Sequence, residues 1–188
     1  MEDRLVVVFG PSAVGKGRLI RTFQERRPNR FQLPVSFTTR PPRKGEVEGV
    51  HHKFVDRQTF SALEEDGFFA ECSWYADERY GTPLESLGDG VILKIEHRGA
   101  LQIRKRFPHA RFVMVMPPDL NTLRRRLHTR DNLTEYYVER RIAEAKIEIA
   151  EGPQIAHAII LNRDNVNNNG LEFEFAYRQF ERVLQSLF

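Results

Sequence analysis

One cysteine, one tryptophan and no long apolar run are what this 188-residue chain most conspicuously lacks or barely has. The lone Cys72 excludes a disulfide within the chain and fits a reducing compartment. No apolar stretch approaches the roughly 20 residues that a membrane helix needs, so a membrane partner is not expected. Met1-Glu-Asp-Arg-Leu5 runs into an apolar stretch at once, which leaves no signal-peptide pattern and predicts a cytoplasmic protein. Strong excess charge is also missing. With 29 basic and 26 acidic residues the formal net charge is +3, which suits a small phosphorylated molecule and gives no reason to expect nucleic acid. Internal repeats are absent, as is any linker long enough to separate the chain into domains. Nothing in the sequence bears on oligomeric state.

What is present begins at Leu5. Leu5 to Val8 read as a short buried strand, and through Phe9 they lead into Gly10-Pro11-Ser12-Ala13-Val14-Gly15-Lys16. A glycine-rich turn between strand and helix aims successive backbone N–H groups at one point, where an anion supplies their missing partners. Lys16 adds a mobile positive charge for the β- and γ-phosphates of a nucleoside triphosphate. The next position ordinarily holds a serine or threonine whose hydroxyl binds magnesium, and here it is Gly17, followed by Arg18.

Arg18 to Arg27 carries apolar residues at helical spacing and is stopped by Pro28-Asn29. From Pro34 to about Pro83 the chain turns to short β-prone pieces with many aromatics and one helix near Gln58 to Glu65. Val91 to Glu96 reads as a core strand, 99–106 as a helix, Ala110 to Met116 as a strand and Asp119 to His128 as a helix capped by Asp119. Glu135 to Glu151 is a long charged helix with a narrow stripe at Val138, Ile142, Ala145 and Ile149, preceded by Thr134 as a candidate cap. A strand at 158–161, a polar turn at 165–170 and a closing helix at 171–187 complete the chain. Strands alternating with helices predict a parallel sheet.

In the β-prone insert, Arg40 and Arg43 straddle two prolines that stiffen the backbone, so both guanidinium groups can face one oxyanion. Read alone, they fit a basic surface loop equally well. Glu71, Tyr80 and Thr82 follow. A carboxylate is the natural acceptor for two adjacent donors such as the ring N–H and amine of guanine, while Tyr80 taken alone suits a core aromatic as well.

Taken together, the loop Gly10–Lys16, the pattern SxTTRxPRxGExxG from Ser36 to Gly49, Tyr80-Gly81-Thr82 and the segments Phe107-Pro108-x-Ala110 and Met116-Pro117-Pro118 resemble the guanylate kinases over essentially the whole chain. The resemblance implies an α/β fold: a P-loop three-layer sandwich with a central parallel sheet, a small mainly-β substrate lobe and a helical lid. It divides a single domain into a core (1–34, 86–128 and 142–188), a substrate-binding lobe (35–85) and a lid (129–141). It implies ATP-dependent phosphorylation of GMP or dGMP, with ATP and Mg2+ as cofactors and small nucleotides as partners. Residue by residue, Ser36, Glu71 and Thr82 resemble the guanine-reading groups, and Arg40, Arg43 and Tyr80 the clamp on the monophosphate. Lys16 and residues 10–18 resemble the ATP cradle, and Arg130 and Arg141 the lid arginines. Asn162 stands where the family approaches adenine. Arg130 and Arg141 alone would read as solvated helix charges, since Arg124, Arg125, Arg126 and Arg140 lie nearby.

Three positions depart from that pattern. Gly17 lacks the magnesium-holding hydroxyl, His52 replaces a tyrosine at the monophosphate, and Lys94 replaces the first aspartate of an Asp-x-Asp strand end, leaving Glu96. These departures keep two alternatives in view: a kinase for another phosphorylated acceptor such as ribose 1,5-bisphosphate, whose enzymes share a piece like Ser73-Trp74-Tyr75-Ala76, and a catalytically silent protein-binding module of the same fold.

Overall fold

The computed structural model describes residues 4–43, 45–75, 77–131, 134–163 and 170–187, with backbone alone at 130 and 131. The side chain of Arg130, Ala76 and the polar turn expected around 165–169 lie outside the described residues.

Strand β1 (Leu5–Phe9) is buried along its whole length. It lies between β6 (Val91–Lys94) and β7 (Arg111–Met116), with β8 (Ala158–Leu161) beyond β7, and every pairing is parallel. Such a strand shows side chains to both faces, which is why it reads as an apolar run without alternation. Val6 and Val8 pack on one face with α1 (Lys16–Arg26), α4 (Leu120–Asp131), α5 (Glu135–Glu151) and α6 (Leu171–Ser186), through residues such as Leu19, Leu123, Ile142 and Phe180. Leu5, Val7 and Phe9 pack on the other with Ala100 and Ile103 of α3 (His97–Arg106). These are the three layers expected.

A second sheet of order β3-β2-β5-β4 is built from β2 (Ser36–Thr38), β3 (His52–Phe54), β4 (Phe69–Tyr75) and β5 (Glu78–Pro83). Its own small core is Phe37, Phe60 and Phe69, with Phe60 contributed by α2 (Arg57–Glu65). Arg79 crosses this core edge, lying over the rings of Phe60 at 4.6 Å and Trp74 at 5.2 Å, donating to Ser61 Oγ at 2.9 Å and pairing with Glu64. Trp74 thus packs on an arginine while half of it stays exposed. No helix among the described residues is long and apolar enough to cross a membrane.

Element boundaries differ from the sequence reading in informative ways. Helix α1 starts at Lys16, two residues early, because Gly15 in the left-handed region turns the chain straight from the loop into the helix. Strand β6 ends at Lys94, so Ile95 and Glu96 form a connector, and α3 begins at His97. Asp119 does cap α4: its Oδ1 accepts from the Thr122 N–H at 2.6 Å. Thr134 occupies the N-cap of α5 but makes no side-chain cap bond. The buried stripe of α5 is wider than the apolar spacing suggests, because Arg141 and Glu148 are buried beside it on the face toward the second sheet's strand β4.

Candidate active site

The carboxyl ends of β1 and β6, the N-terminus of α1 and the inner face of the second sheet enclose one cavity of about 500 Å³. Each side of it is built differently.

On the first side, residues 11–18 line the wall. Gly15 has φ 105°, and a β-carbon there would stand 2.3 Å from Asn162 Nδ2, so no other residue fits. No side chain caps α1, so an anion at this end can take the place of a cap. Lys16 is buried. Its ammonium donates to the carbonyl oxygens of Gly10 and, at 3.2 Å, Pro11, and pairs with Glu96 Oε2 at 3.2 Å. Asn162, 2% exposed, donates from Nδ2 to Val14 O at 2.8 Å. Arg126 donates to Asn162 O at 3.1 Å and reaches Val14 O at 3.4 Å. Both residues brace the loop from beneath, and Asn162 is not on the cavity wall. Arg18 lies over the Phe173 ring at 3.7 Å.

The opposite side is made of strand faces. A bulge sets Phe69 against Pro83 and Glu71 against Thr82. Thereafter the two-residue period of β4 puts Glu71, Ser73 and Tyr75 on the cavity, with Tyr80 and Thr82 of β5 beside them. Thr82 Oγ1 donates to Glu71 Oε1 at 2.7 Å. Burial, and to a lesser degree the nearby Glu96 charge, push the Glu71 carboxyl up to about 7 against the pull of that hydrogen bond. Its other oxygen rests on α3: a β-carbon on Gly99 would lie 2.3 Å from Oε2. Ser36 and His52 face each other across β2 and β3, with Ser36 Oγ and His52 Nδ1 at 2.9 Å. Burial, then Lys94 and Arg40, hold His52 down at about 4, so its ring is neutral near pH 7.

Arg40 is buried and grips Glu46 with both terminal nitrogens, at 2.6 and 2.7 Å. Glu46 also accepts the Arg43 backbone N–H at 2.8 Å. Burial opposes its charge, but the Arg40 and Arg43 bonds prevail and hold it at about 2. The Arg40 Nε, buried, has no partner among the described residues. Arg40, Arg43 and Tyr80 all line the cavity. From α5, Arg141 reaches in as well, donating to Ser12 Oγ at 3.0 Å with its guanidinium 5.1 Å from the Tyr75 ring centre.

Glu46, Ser73, Tyr75 and Arg126 were given no place in the site by the sequence reading. The first was visible as an acid six residues after Arg40 across the prolines, and Ser73 and Tyr75 as the same-face partners of Glu71. Arg126 carried no signal among so many neighbouring arginines.

The departures noted at the magnesium positions stand in the structure, and the residues there do not fit a protein-held metal ion. Gly17 offers no hydroxyl, Glu96 is paired with Lys16, and Lys94 places an ammonium next to them. Among the described residues no three histidine, cysteine or carboxylate groups could hold a metal ion.

The sequence profile of the guanylate kinase family matches residues 2–186. The chain is 42% identical over 163 residues to the guanylate kinase of Thermosynechococcus vestitus, covering 84% of this chain and 85% of that protein. It is 43% identical over 168 residues to that of Streptococcus pneumoniae, covering 85% and 81%. A crystal structure of guanylate kinase from Anaplasma phagocytophilum, 26% identical, superposes with a TM-score of 0.74 over 98% of this chain and 85% of that one.

Proposed function

The chain belongs to the guanylate kinase family, and from that premise we propose that it transfers the γ-phosphoryl group of ATP to GMP or dGMP. One observation carries the reading: a buried carboxylate and a threonine hydroxyl share a cavity with a phosphate-binding loop.

The triphosphate lies along residues 10–18, with backbone N–H groups and Lys16 taking the negative charge. Lys16 moves from the carbonyls it caps to the phosphate oxygens, which are stronger acceptors. Guanine enters between Ser36, Glu71 and Thr82. Its ring N–H and amine donate to the ionised Glu71, which no other common base can match with two adjacent donors. The monophosphate meets Arg40, Arg43, Tyr80 and His52. Glu46 fixes the Arg40 fork beforehand, so its buried Nε is already aimed when substrate arrives.

In the reaction a non-bridging oxygen of the GMP phosphate attacks the γ-phosphorus. The bond from that phosphorus to the β,γ-bridging oxygen breaks, and ADP leaves with the electron pair. The attacking oxygen carries no proton at neutral pH, so alignment and positive charge are what the protein must provide. Arg141 supplies charge from α5, and Arg130 joins it on closure. Residues 35–85 act as the substrate lobe and 129–141 as the lid. Magnesium would supply further positive charge to the triphosphate and, with no hydroxyl at Gly17 and Glu96 paired with Lys16, would depend mainly on phosphates and water for its ligands. The lone free thiol of Cys72 and the nucleotide substrates fit the cytoplasm.

The test is a panel of acceptors with ATP, following ADP release. Turnover confined to GMP and dGMP is expected; turnover of AMP or of ribose 1,5-bisphosphate in preference to GMP would overturn the assignment.

A further inference from the structure

The structure assigns a further phosphate-binding role to Lys94: we propose that its ammonium bridges the donor and acceptor phosphates and, paired with the empty side-chain position at Gly17, takes over part of the charge that a protein-held magnesium ion would supply. The inference rests on the nucleotide kinase reading above.

Lys94 is the last residue of β6 and stands opposite Val8 of β1, two residues ahead of the phosphate loop. Its side chain passes the bare α-carbon of Gly17: a β-carbon there would lie 4.0 Å from Lys94 Cδ, the only contact within that range. The lysine lines the main cavity and also the adjoining one of about 200 Å³ between Gly17, Ser36, Glu46, His52 and Thr82. It therefore stands on the seam between the loop side and the strand-face side. Its electrostatic neighbours say the same. Lys16 and Glu96 act on it from the donor side, Glu46 and Arg40 from the acceptor side.

Among the described residues the Lys94 ammonium makes no hydrogen bond or ion pair, because both nearby carboxylates are engaged: Glu96 with Lys16 at 3.2 Å, Glu46 with the Arg40 fork at 2.6 Å. Its side chain is exposed to the open cavity, with the Lys16 charge among its neighbours. An anion placed between the two ammonium groups relieves their repulsion, and a compact point charge can serve two phosphates at once. Gly17 is the complementary half. A β-carbon there would just reach van der Waals contact with the Lys94 stem, and the hydroxyl forgone at 17 is the one that would have bound the metal.

The deciding experiment titrates wild type, Lys94→Gln, Lys94→Arg and Gly17→Ser with a dinucleotide in which adenosine and guanosine are joined through five phosphates. Calorimetry is run with EDTA and again with Mg2+, and ATP and GMP are titrated singly. Lys94→Gln should weaken the joined nucleotide about tenfold or more in EDTA, and clearly less with Mg2+. The single nucleotides should lose less than the joined one, and Lys94→Arg should recover most of the loss. Gly17→Ser, which supplies a hydroxyl for the metal, should widen the gap between the affinities with EDTA and with Mg2+. Affinity within twofold of wild type for Lys94→Gln in EDTA would overturn the inference, as would equal losses with and without Mg2+. GMP turnover by wild type, measured alongside, decides the kinase reading separately.

Discussion

The two sheets contribute to one cavity by opposite means. The parallel sheet buries both faces, so it reaches the site only at its strand ends, through backbone groups of residues 10–15 and through Lys16 and Lys94. The smaller sheet leaves one face open and offers side chains in cross-strand register: Glu71 opposite Thr82, Ser73 opposite Tyr80, Ser36 opposite His52. Backbone donors grip any polyphosphate, whereas a patterned strand face can discriminate one base. On the proposed function, donor binding and acceptor choice are thereby separable.

Substitutions that separate the two functions should differ in size. The largest loss is expected from Lys16→Ala, which removes the positive charge that meets the negative charge growing on the transferring group: kcat should fall by about 10²–10³-fold or more, with GMP affinity nearly unchanged in a binding titration. Next comes acceptor-side pH dependence. Glu71 must be ionised to accept two donors, and burial sets it near 7, so GMP affinity should fall as pH drops below that value, approaching about tenfold per unit. His52, held at about 4, stays neutral across that window and contributes no slope. Folding responds with the opposite sign. The unfolded chain releases the Glu71 proton at lower pH than the folded one, so this residue makes the empty protein less stable as pH rises from the ordinary glutamate value toward 7. A GMP affinity that is flat from about pH 5.5 to about 8.5 would contradict the ionised-acceptor account.

Smaller still, Gly99→Ala pushes a methyl group against Glu71 Oε2 and should raise KM for GMP by about tenfold while leaving KM for ATP unaffected. An equal change in both would mean that α3 shifts as a whole. Least of all for catalysis, Arg79→Met breaks the pairing with Glu64 and should lower stability by about 1–3 kcal/mol, discounted because Glu64 is partly exposed, with kcat within about twofold. Urea unfolding against turnover distinguishes that outcome from a catalytic role.

The same contrast decides what could be read from the sequence. The loop and its sheet were legible because their signals are local: an apolar run, a glycine turn and a lysine all lie within residues 5–16. Alternating strands and helices then predicted the parallel sheet, and the three layers came from the family resemblance. In the smaller sheet, Glu71 and Thr82 were legible by type, but their pairing depends on a bulge at Phe69–Glu71 that no local composition marks. Tyr75 was hidden because it reaches the site only through a two-residue period starting at that bulge. Arg79 carries no local signal in the sequence, since its partners Ser61 and Glu64 come from a separate helix. Asn162 follows strand β8 as the sequence suggests, and there its Nδ2 donates to Val14 O and braces the loop.

The central claim is that acceptor choice lives on the strand faces and donor binding on the loop, and Glu71→Gln tests it most directly. Calorimetric titration of the variant at about pH 8 with GMP and with ATP should show GMP weakened by roughly 2–4 kcal/mol, because two donors lose a charged acceptor, and ATP within about twofold of wild type. Unchanged GMP affinity, or an equal loss for both nucleotides, would contradict it.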